Sequence, residues 1–392
     1  MEKKMDKKTV FGGVFQGLRV LITGHTGFKG SWLSIWLKEL GANVLGFSRG
    51  VPTDPSNFQL CQLERRITHG DGDIRDPDRV LEIIRKYQPE VVIHMAAQPL
   101  VLAAYQKPKE TFDTNVLGTV NVLEAIRQTK SVKAFIGVTT DKVYKDQKWI
   151  WGYRENDLLG GYDPYSASKA MAELAIQSYQ SSWPERGFSD HPVALASARA
   201  GNVIGGGDLA QFRLVPDCMQ ALKAGTPVEV RSPKSVRPWQ LVMEPLSGYL
   251  WLAAHLLGEA NKRLAGEKLR AEDTFSGAWN FGPLEHEAIN CETIARKAVE
   301  LWGSGRYVLS QNPSQGHETS VLRVNWDKAA NRLAWRPTYT WEDALSETVD
   351  WWKEYQRQEQ AGGAVDMYDV CVKHIEQYVS RARELGIPWA NP

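Results

Sequence analysis

From residue 18 to residue 200 the chain alternates short apolar, β-branched runs with longer stretches of helical period, and that alternation leaves few folds open. Two strands separated by a helix cannot pair as a hairpin. The crossover brings them back parallel, so repeated units build a parallel sheet covered by helices on both faces. Strand runs fall at 18–23, 43–48, 91–95, 134–139 and 193–200, and helical stretches at 28–40, 77–87, 111–128 and 165–183. The expected fold class is α/β, a doubly wound parallel sheet.

Beyond Gly201 the texture changes: Gly205-Gly206-Gly207, Pro216, Pro227, Pro233 and Pro238 punctuate shorter segments, and helical stretches follow at 244–256, 291–302, 341–355 and 367–383 with a short strand at 278–281. With 392 residues the chain exceeds the roughly 250–300 that one core carries, so a second lobe is expected to begin near 201. Residues 1–17, lysine-rich and without a continuous apolar stretch, read as a flexible leader and not as a secretory signal. The 15 tryptophans, several of them C-terminal, read as packing of helices onto the sheet.

Charge excludes whole classes of partner. Lys plus Arg (47) balances Asp plus Glu (46), so no global field attracts nucleic acid or an anionic membrane. The longest apolar region, 245–258, is broken by Ser247 and His255 and is shorter than the ~20 residues a bilayer demands. Cys61, Cys218, Cys291 and Cys371 lie far apart with no zinc spacing, so neither a metal nor a disulfide framework is expected. A cytoplasmic location is the expectation that follows.

Gly24-His25-Thr26-Gly27-Phe28-Lys29-Gly30 joins the first strand to the first helix, where backbone N–H groups and the helix dipole hold a pyrophosphate. A tight structural turn is the alternative, and the position after the first strand of an alternating pattern favours the dinucleotide. Tyr165 and Lys169 lie four apart, on one helix face, so an ammonium sits beside a phenol. A phenol of pKa ~10 is a poor base at neutral pH; a neighbouring cation lowers that value. Thr139-Thr140-Asp141-Lys142 lies at the carboxyl end of the fifth strand, facing the crevice where open α/β sheets bind ligands.

These motifs resemble the extended short-chain dehydrogenases/reductases. The GxxGxxG spacing, Tyr165-Ser166-Ala167-Ser168-Lys169 and above all Thr140-Asp141-Lys142 are similar to the CDP-glucose 4,6-dehydratases among them. The likeness extends over most of 18–355, through Trp151–Asn156, Gly201–Asp208, Arg237-Pro238-Trp239-Gln240 and Trp279-Asn280-Phe281-Gly282-Pro283. It implies a Rossmann-like NAD-binding domain over 18–200, to which later segments can return, and over 201–392 mainly a substrate-binding lobe with C-terminal helices. It also implies a homodimer or tetramer formed through the helices at 111–128 and 165–183.

The resemblance assigns roles. Thr140, Asp141, Lys142, Tyr165 and Lys169 are the expected catalytic set, Tyr165 as base at the sugar 4-hydroxyl, Asp141 as acid at the departing 6-hydroxyl and Lys142, or a group it positions, at the C5 proton. The cofactor is expected to meet Gly24, Thr26, Gly27, Phe28, Lys29, Gly30, Ser48, Arg49, Asp73, Ile74, Ala96, Ala97, Gln98, Asn115 and Thr139, besides Tyr165 and Lys169. A nucleotide-activated hexose is expected to meet Gln98, Thr140, Asn202, Arg213, Arg231, Arg237 and Asn280. NADP stays open because Phe47-Ser48-Arg49 lacks the acidic residue that grips a ribose 2′-hydroxyl while Arg49 and Lys29 could accept a 2′-phosphate, and NAD is favoured because a self-regenerating cycle makes no demand on the NADPH pool. A 4-epimerase of the same fold, or a dehydratase for another nucleoside-diphosphate hexose, is the rival reading, and a non-catalytic nicotinamide sensor is the remote one.

Four positions depart from that family's pattern: Leu102 where Arg is common, Leu209 for Trp, Phe212 for Asp and Leu241 for His. All four are apolar, and they are expected to make the substrate lobe more apolar and to alter its choice of base or sugar.

Overall fold

The computed structural model describes residues 9–182, 191–284, 289–310 and 323–391. Its centre is a seven-stranded sheet. Strands β1 (Arg19–Thr23), β2 (Asn43–Ser48), β3 (Thr68–Asp71), β4 (Val91–His94), β5 (Ala134–Val138) and β6 (Ala194–Ala200) run parallel, and a seventh, Gly277–Phe281, joins beside β6. The order is seventh, β6, β5, β4, β1, β2, β3. The chain reverses its direction of travel across the sheet between β1 and β4, and the crevice at their carboxyl ends is where ligands are expected in such folds.

Successive side chains of a strand point to opposite faces, so a doubly covered strand must be apolar at every position. Val20 and Ile22 enter one core, with Trp36, Leu246 and Tyr378, while Leu21 between them enters the other, with Val92, Ile84, Val122 and Ile176. Helices Phe28–Glu39, Met243–Leu264 and Tyr368–Glu384 make the first layer; Pro77–Tyr87, Gly118–Arg127 and Pro164–Ser182 make the second. Trp32, Trp36, Trp279, Trp335, Trp351, Trp352 and Trp389 are all fully buried, which is the packing role the sequence suggested.

One expectation changes. Residues 9–17 are not a loose leader: Val10, Phe11 and Phe15 are buried, and the Phe11 ring stacks on Trp389 at 5.0 Å. Burial of two aromatic rings anchors this short segment; residues 1–8 lie outside the described residues. The chain beyond Gly201 returns the seventh strand and helix Met243–Leu264 to the sheet, a return that the sequence reading allowed for. The helix expected over 111–128 is present as a continuous run from Pro108 to Arg127, with one π turn at Asp113–Leu117 across which the backbone stays helical.

The remaining chain forms a smaller layer beside the sheet's carboxyl edge. Helices Leu214–Lys223, Cys291–Trp302 and Trp341–Gln360 pack with the strand pair Val228–Val230 and Tyr307–Leu309. Among the described residues no helix is long and apolar enough to cross a membrane.

Candidate active site

One cleft runs between the sheet's carboxyl edge and this smaller layer, enclosing about 2040 Å³. A pocket for one small ligand holds roughly 300–1,000 Å³, so this one has room for two large molecules end to end. Among the described residues no cluster of three His, Cys, Asp or Glu side chains is suited to a metal ion.

At one end the wall is built for a dinucleotide. Helix Phe28–Glu39 opens at Gly27 with no side-chain cap, so its first N–H groups remain available to an anion. Gly24 has φ +78°, and a Cβ there would lie 2.7 Å from the Ala96 nitrogen. Only glycine lets the two strand ends approach so closely and leave a floor without side chains. Thr26, Phe28, Lys29, Gly30, Ala96 and Ala97 complete that floor. Beneath it Thr23 Oγ1 accepts from the Met95 and Ala96 N–H groups and bonds His94 Nδ1 at 2.7 Å. Thr119 gives its own proton to the Asn115 carbonyl, so His94 donates from Nε2 and stays neutral; burial, then Lys169, pushes its pKa down to about 3.

Farther along, Ser48, Arg49, Asp73 and Ile74 line the cleft. Arg49, whose side chain is 63% exposed, contacts Asp73 at 3.2 Å and Glu110 at 3.7 Å. Arg75 holds Asp73 as well, at 2.6 Å, and keeps that carboxyl below its ordinary range.

At mid-cleft the fifth strand ends in the reacting centre. Thr140 caps a short turn and donates its hydroxyl to Asp141 Oδ1 at 3.0 Å, within hydrogen-bond reach of the Tyr165 phenol too. Asp163 caps helix Pro164–Ser182 through Ser166 N (3.0 Å) and Ser166 Oγ (2.6 Å), which fixes the turn carrying Tyr165. Asp141 Oδ2 is buried without a hydrogen-bond partner among the described residues. Gly201 makes room for it, since a Cβ at that position would lie 3.0 Å away. Burial raises the Asp141 pKa against Lys142, Thr140, Arg237 and Lys29, so this carboxyl holds its proton more readily than a surface aspartate.

Tyr165 departs from the sequence expectation. Burial pushes its pKa up to about 12, and the cation set against burial is Arg213, with the Thr140 hydroxyl. Lys169 instead donates to the Val138 carbonyl at 3.1 Å, and burial lowers its own pKa to about 8. Lys29 is lowered to about 8 for the same reason, with Arg213 adding to it.

Beyond the reacting centre Asn202, Arg213, Arg231 and Arg237 line the far end, as does Lys142 nearer the middle. Arg213 is held by Asp208 at 3.0 Å, Arg231 by Asp217 at 2.5 Å, and Arg237 Nη1 donates to the Val236 carbonyl at 2.8 Å.

Three expected contacts lie outside the cleft wall. Gln98 spends its side-chain amide on Thr111 and on Leu100, folding its own loop. Asn115 bonds the Gln98 backbone twice, at 2.8 and 3.1 Å, and Ser168 at 2.9 Å. Asn280 is fully buried and saturated by Tyr144, Tyr153 and Asn325. Each amide is consumed by backbone or side chains that shape the site, which spacing alone does not reveal. Leu241 is likewise buried in the core, whereas Leu102, Leu209 and Phe212 do line the cleft.

The sequence reading missed a buried network behind the catalytic strand. Arg199 and Glu173, both fully buried, form a bidentate pair, and Thr139 and Ser197 donate their hydroxyls to the same carboxylate. Arg199 also donates to Tyr144 at 2.7 Å, and Tyr144 to Asn280 at 2.7 Å. A lone arginine in the strand Ala-Leu-Ala-Ser-Ala-Arg-Ala and a glutamate four residues after Lys169 were the available signals.

The sequence profile of the GDP-mannose 4,6 dehydratase family matches residues 21–348. A CDP-glucose 4,6-dehydratase of Salmonella typhimurium is 43% identical over 367 residues, 93% of this chain and 97% of that protein. Among solved structures, an epimerase from Methanothermobacter thermautotrophicus superposes with a TM-score of 0.72 at 20% identity, covering 91% of this chain and 97% of its own. A dTDP-glucose 4,6-dehydratase from Bacillus anthracis, in complex with NAD, superposes with a TM-score of 0.68 at 22% identity, covering 87% and 98%. At these identities the two structures establish the shared fold.

Proposed function

The chain belongs to the GDP-mannose 4,6-dehydratase family of sugar-nucleotide enzymes, and we propose that it converts CDP-glucose to CDP-4-keto-6-deoxyglucose with NAD as its resident cofactor. The observation that carries this reading is the buried, unpartnered oxygen of Asp141 beside Thr140 and Tyr165. An epimerase acting at C4 alone has no use for an acid there; a dehydratase must protonate a departing hydroxyl.

When bound, the nicotinamide supplies the hydride acceptor for C4 and the hydride donor for C6. The chain's own residues handle the protons. Tyr165 takes the proton of the sugar 4-hydroxyl, and the cations around it, Arg213 in this structure and the oxidised nicotinamide in the complex, oppose the burial that keeps the phenol protonated. The 4-keto group acidifies C5–H, so Lys142 or a group it positions removes that proton and returns one to C5 when the hydride reaches C6. Asp141, whose hold on its proton is strengthened by burial, delivers a proton to the 6-hydroxyl as water leaves. The enclosing cleft keeps bulk water from the intermediate.

NAD is favoured over NADP because Arg49 is already engaged by Asp73 and Glu110, and a 2′-phosphate placed there would face those carboxylates. A homodimer or tetramer is supported by exposed Leu117, Met171 and Leu174, which leave an apolar face on the adjoining helical segments. The 43% identity to a CDP-glucose enzyme supports the choice of base. Mass spectrometry after presenting CDP-, GDP-, UDP- and dTDP-glucose tests the reading: loss of one water from CDP-glucose supports it, and epimerisation without mass change contradicts it.

A further inference from the structure

Phe212 combines three properties that seldom coincide. Its backbone is left-handed at φ +64°, which bulky residues avoid. Its side chain stays 64% exposed, although burying a phenyl ring is favourable. That ring stands on the cleft wall. An outlier of this kind is held in place by its surroundings.

The surroundings say what the position is for. Arg213, the next residue, turns to Asp208 and acts on Tyr165, so it marks the reacting centre. Arg231 lies with its guanidinium 5.7 Å from the Phe212 ring centre, pinned by Asp217 at 2.5 Å. The phenyl ring is thus backed by a fixed cation and leaves a face for a ligand. If the hexose C4 sits at Tyr165 and the diphosphate follows past Arg213, the next group to arrive is the nucleobase.

We propose that Phe212, backed by Arg231, is the platform on which the pyrimidine base of the substrate stacks, and that this chain selects its nucleotide partly by stacking. The proposal rests on the nucleotide-sugar reading of the cleft. Every base has a π-face, so a stacking platform tolerates different bases, whereas hydrogen-bonded readout rejects a wrong one sharply. An aromatic ring at this position moves the site toward tolerance.

The test uses the cofactor-loaded enzyme and measures calorimetric affinity for CDP, UDP and inorganic pyrophosphate in the wild type, Phe212→Ala, Phe212→Asn and Phe212→Trp. Phe212→Asn suits the left-handed backbone and controls for local misfolding. The expected result is a roughly tenfold loss for CDP and UDP alike in the Ala and Asn variants, the low end of what one stacked base contributes. Affinity for pyrophosphate holds, Trp retains binding, and the loss in turnover falls on KM. Unchanged CDP affinity, loss for one base only, or equal loss for pyrophosphate overturns the platform. Turnover of CDP-glucose by the wild type is followed in parallel. Turnover with unaltered CDP affinity in Phe212→Ala sinks the platform alone; no turnover of any nucleoside-diphosphate glucose, with the tenfold loss intact, sinks the functional reading alone.

Discussion

Arg199 and Glu173 meet as a two-toothed ion pair, Nε to Oε1 and Nη2 to Oε2 both at 2.9 Å, with neither side chain reaching solvent. The pair lies behind the catalytic strand and takes the Thr139 and Ser197 hydroxyls as further donors. Removing one partner leaves a buried charge unanswered, which costs about 3–5 kcal/mol. Glu173→Gln is therefore expected to lower the urea midpoint sharply. An unchanged midpoint would show that the network contributes little to stability.

Asp141→Asn keeps the shape of the acid and removes its proton. General acid catalysis contributes typically 10²–10⁴-fold, so dehydration should fall by about that factor while the purified protein retains its cofactor. Product analysis and cofactor content, measured on the same sample, separate loss of acid from loss of fold. Full dehydratase activity in this variant would show the acid to be another group.

Lys169 makes stability and activity pull in opposite directions. Its folded pKa, about 8, lies below the ordinary 10.5 because burial penalises the ammonium. Between those values the unfolded chain binds the proton more tightly, so the stability of the native state rises with pH across that window and is lowest below it. Lys169→Met is expected to be inactive yet more stable at pH 7, by an amount on the order of 3 kcal/mol. The advantage should close as pH climbs from about 8 to 10.5. Urea denaturation at pH 7 and at pH 10 checks the sign; a variant less stable at pH 7 would contradict it.

Gly24→Ala adds a methyl group that meets the Ala96 backbone at 2.7 Å on a left-handed backbone. The cradle must open to admit it. Cofactor released on denaturation, quantified by absorbance, is expected to drop to a small fraction of the wild-type amount. Wild-type content would mean that the close approach of the two strand ends is not needed for binding.

Much of this was legible in the residues because it was periodic or locally spaced. Alternating strand and helix signals give the parallel sheet, and Gly24–Gly30, Thr140–Lys142 and Tyr165–Lys169 reach one cleft because each sits at a strand end or a helix start. What stayed hidden depends on contacts distant in sequence. Asn280 pairs with Tyr144, 136 positions away, and Arg199 with Glu173 across the sheet's face. Phe11 finds Trp389 at the opposite end of the chain. An amide such as Gln98 or Asn115 satisfies a ligand or a loop with the same atoms, and only the fold decides which. The Tyr165 pKa is a similar case: helical spacing suggests Lys169 as its partner cation, but the balance of burial against the Thr140 hydroxyl and Arg213 needed coordinates.

The most direct measurement uses CDP-glucose labelled with deuterium at C4. An account in which C4 is oxidised, water leaves across C5–C6 and the same hydride returns to C6 predicts a product lighter by one water with the label at its methyl carbon. Label retained at C4, or a product of unchanged mass, would contradict it.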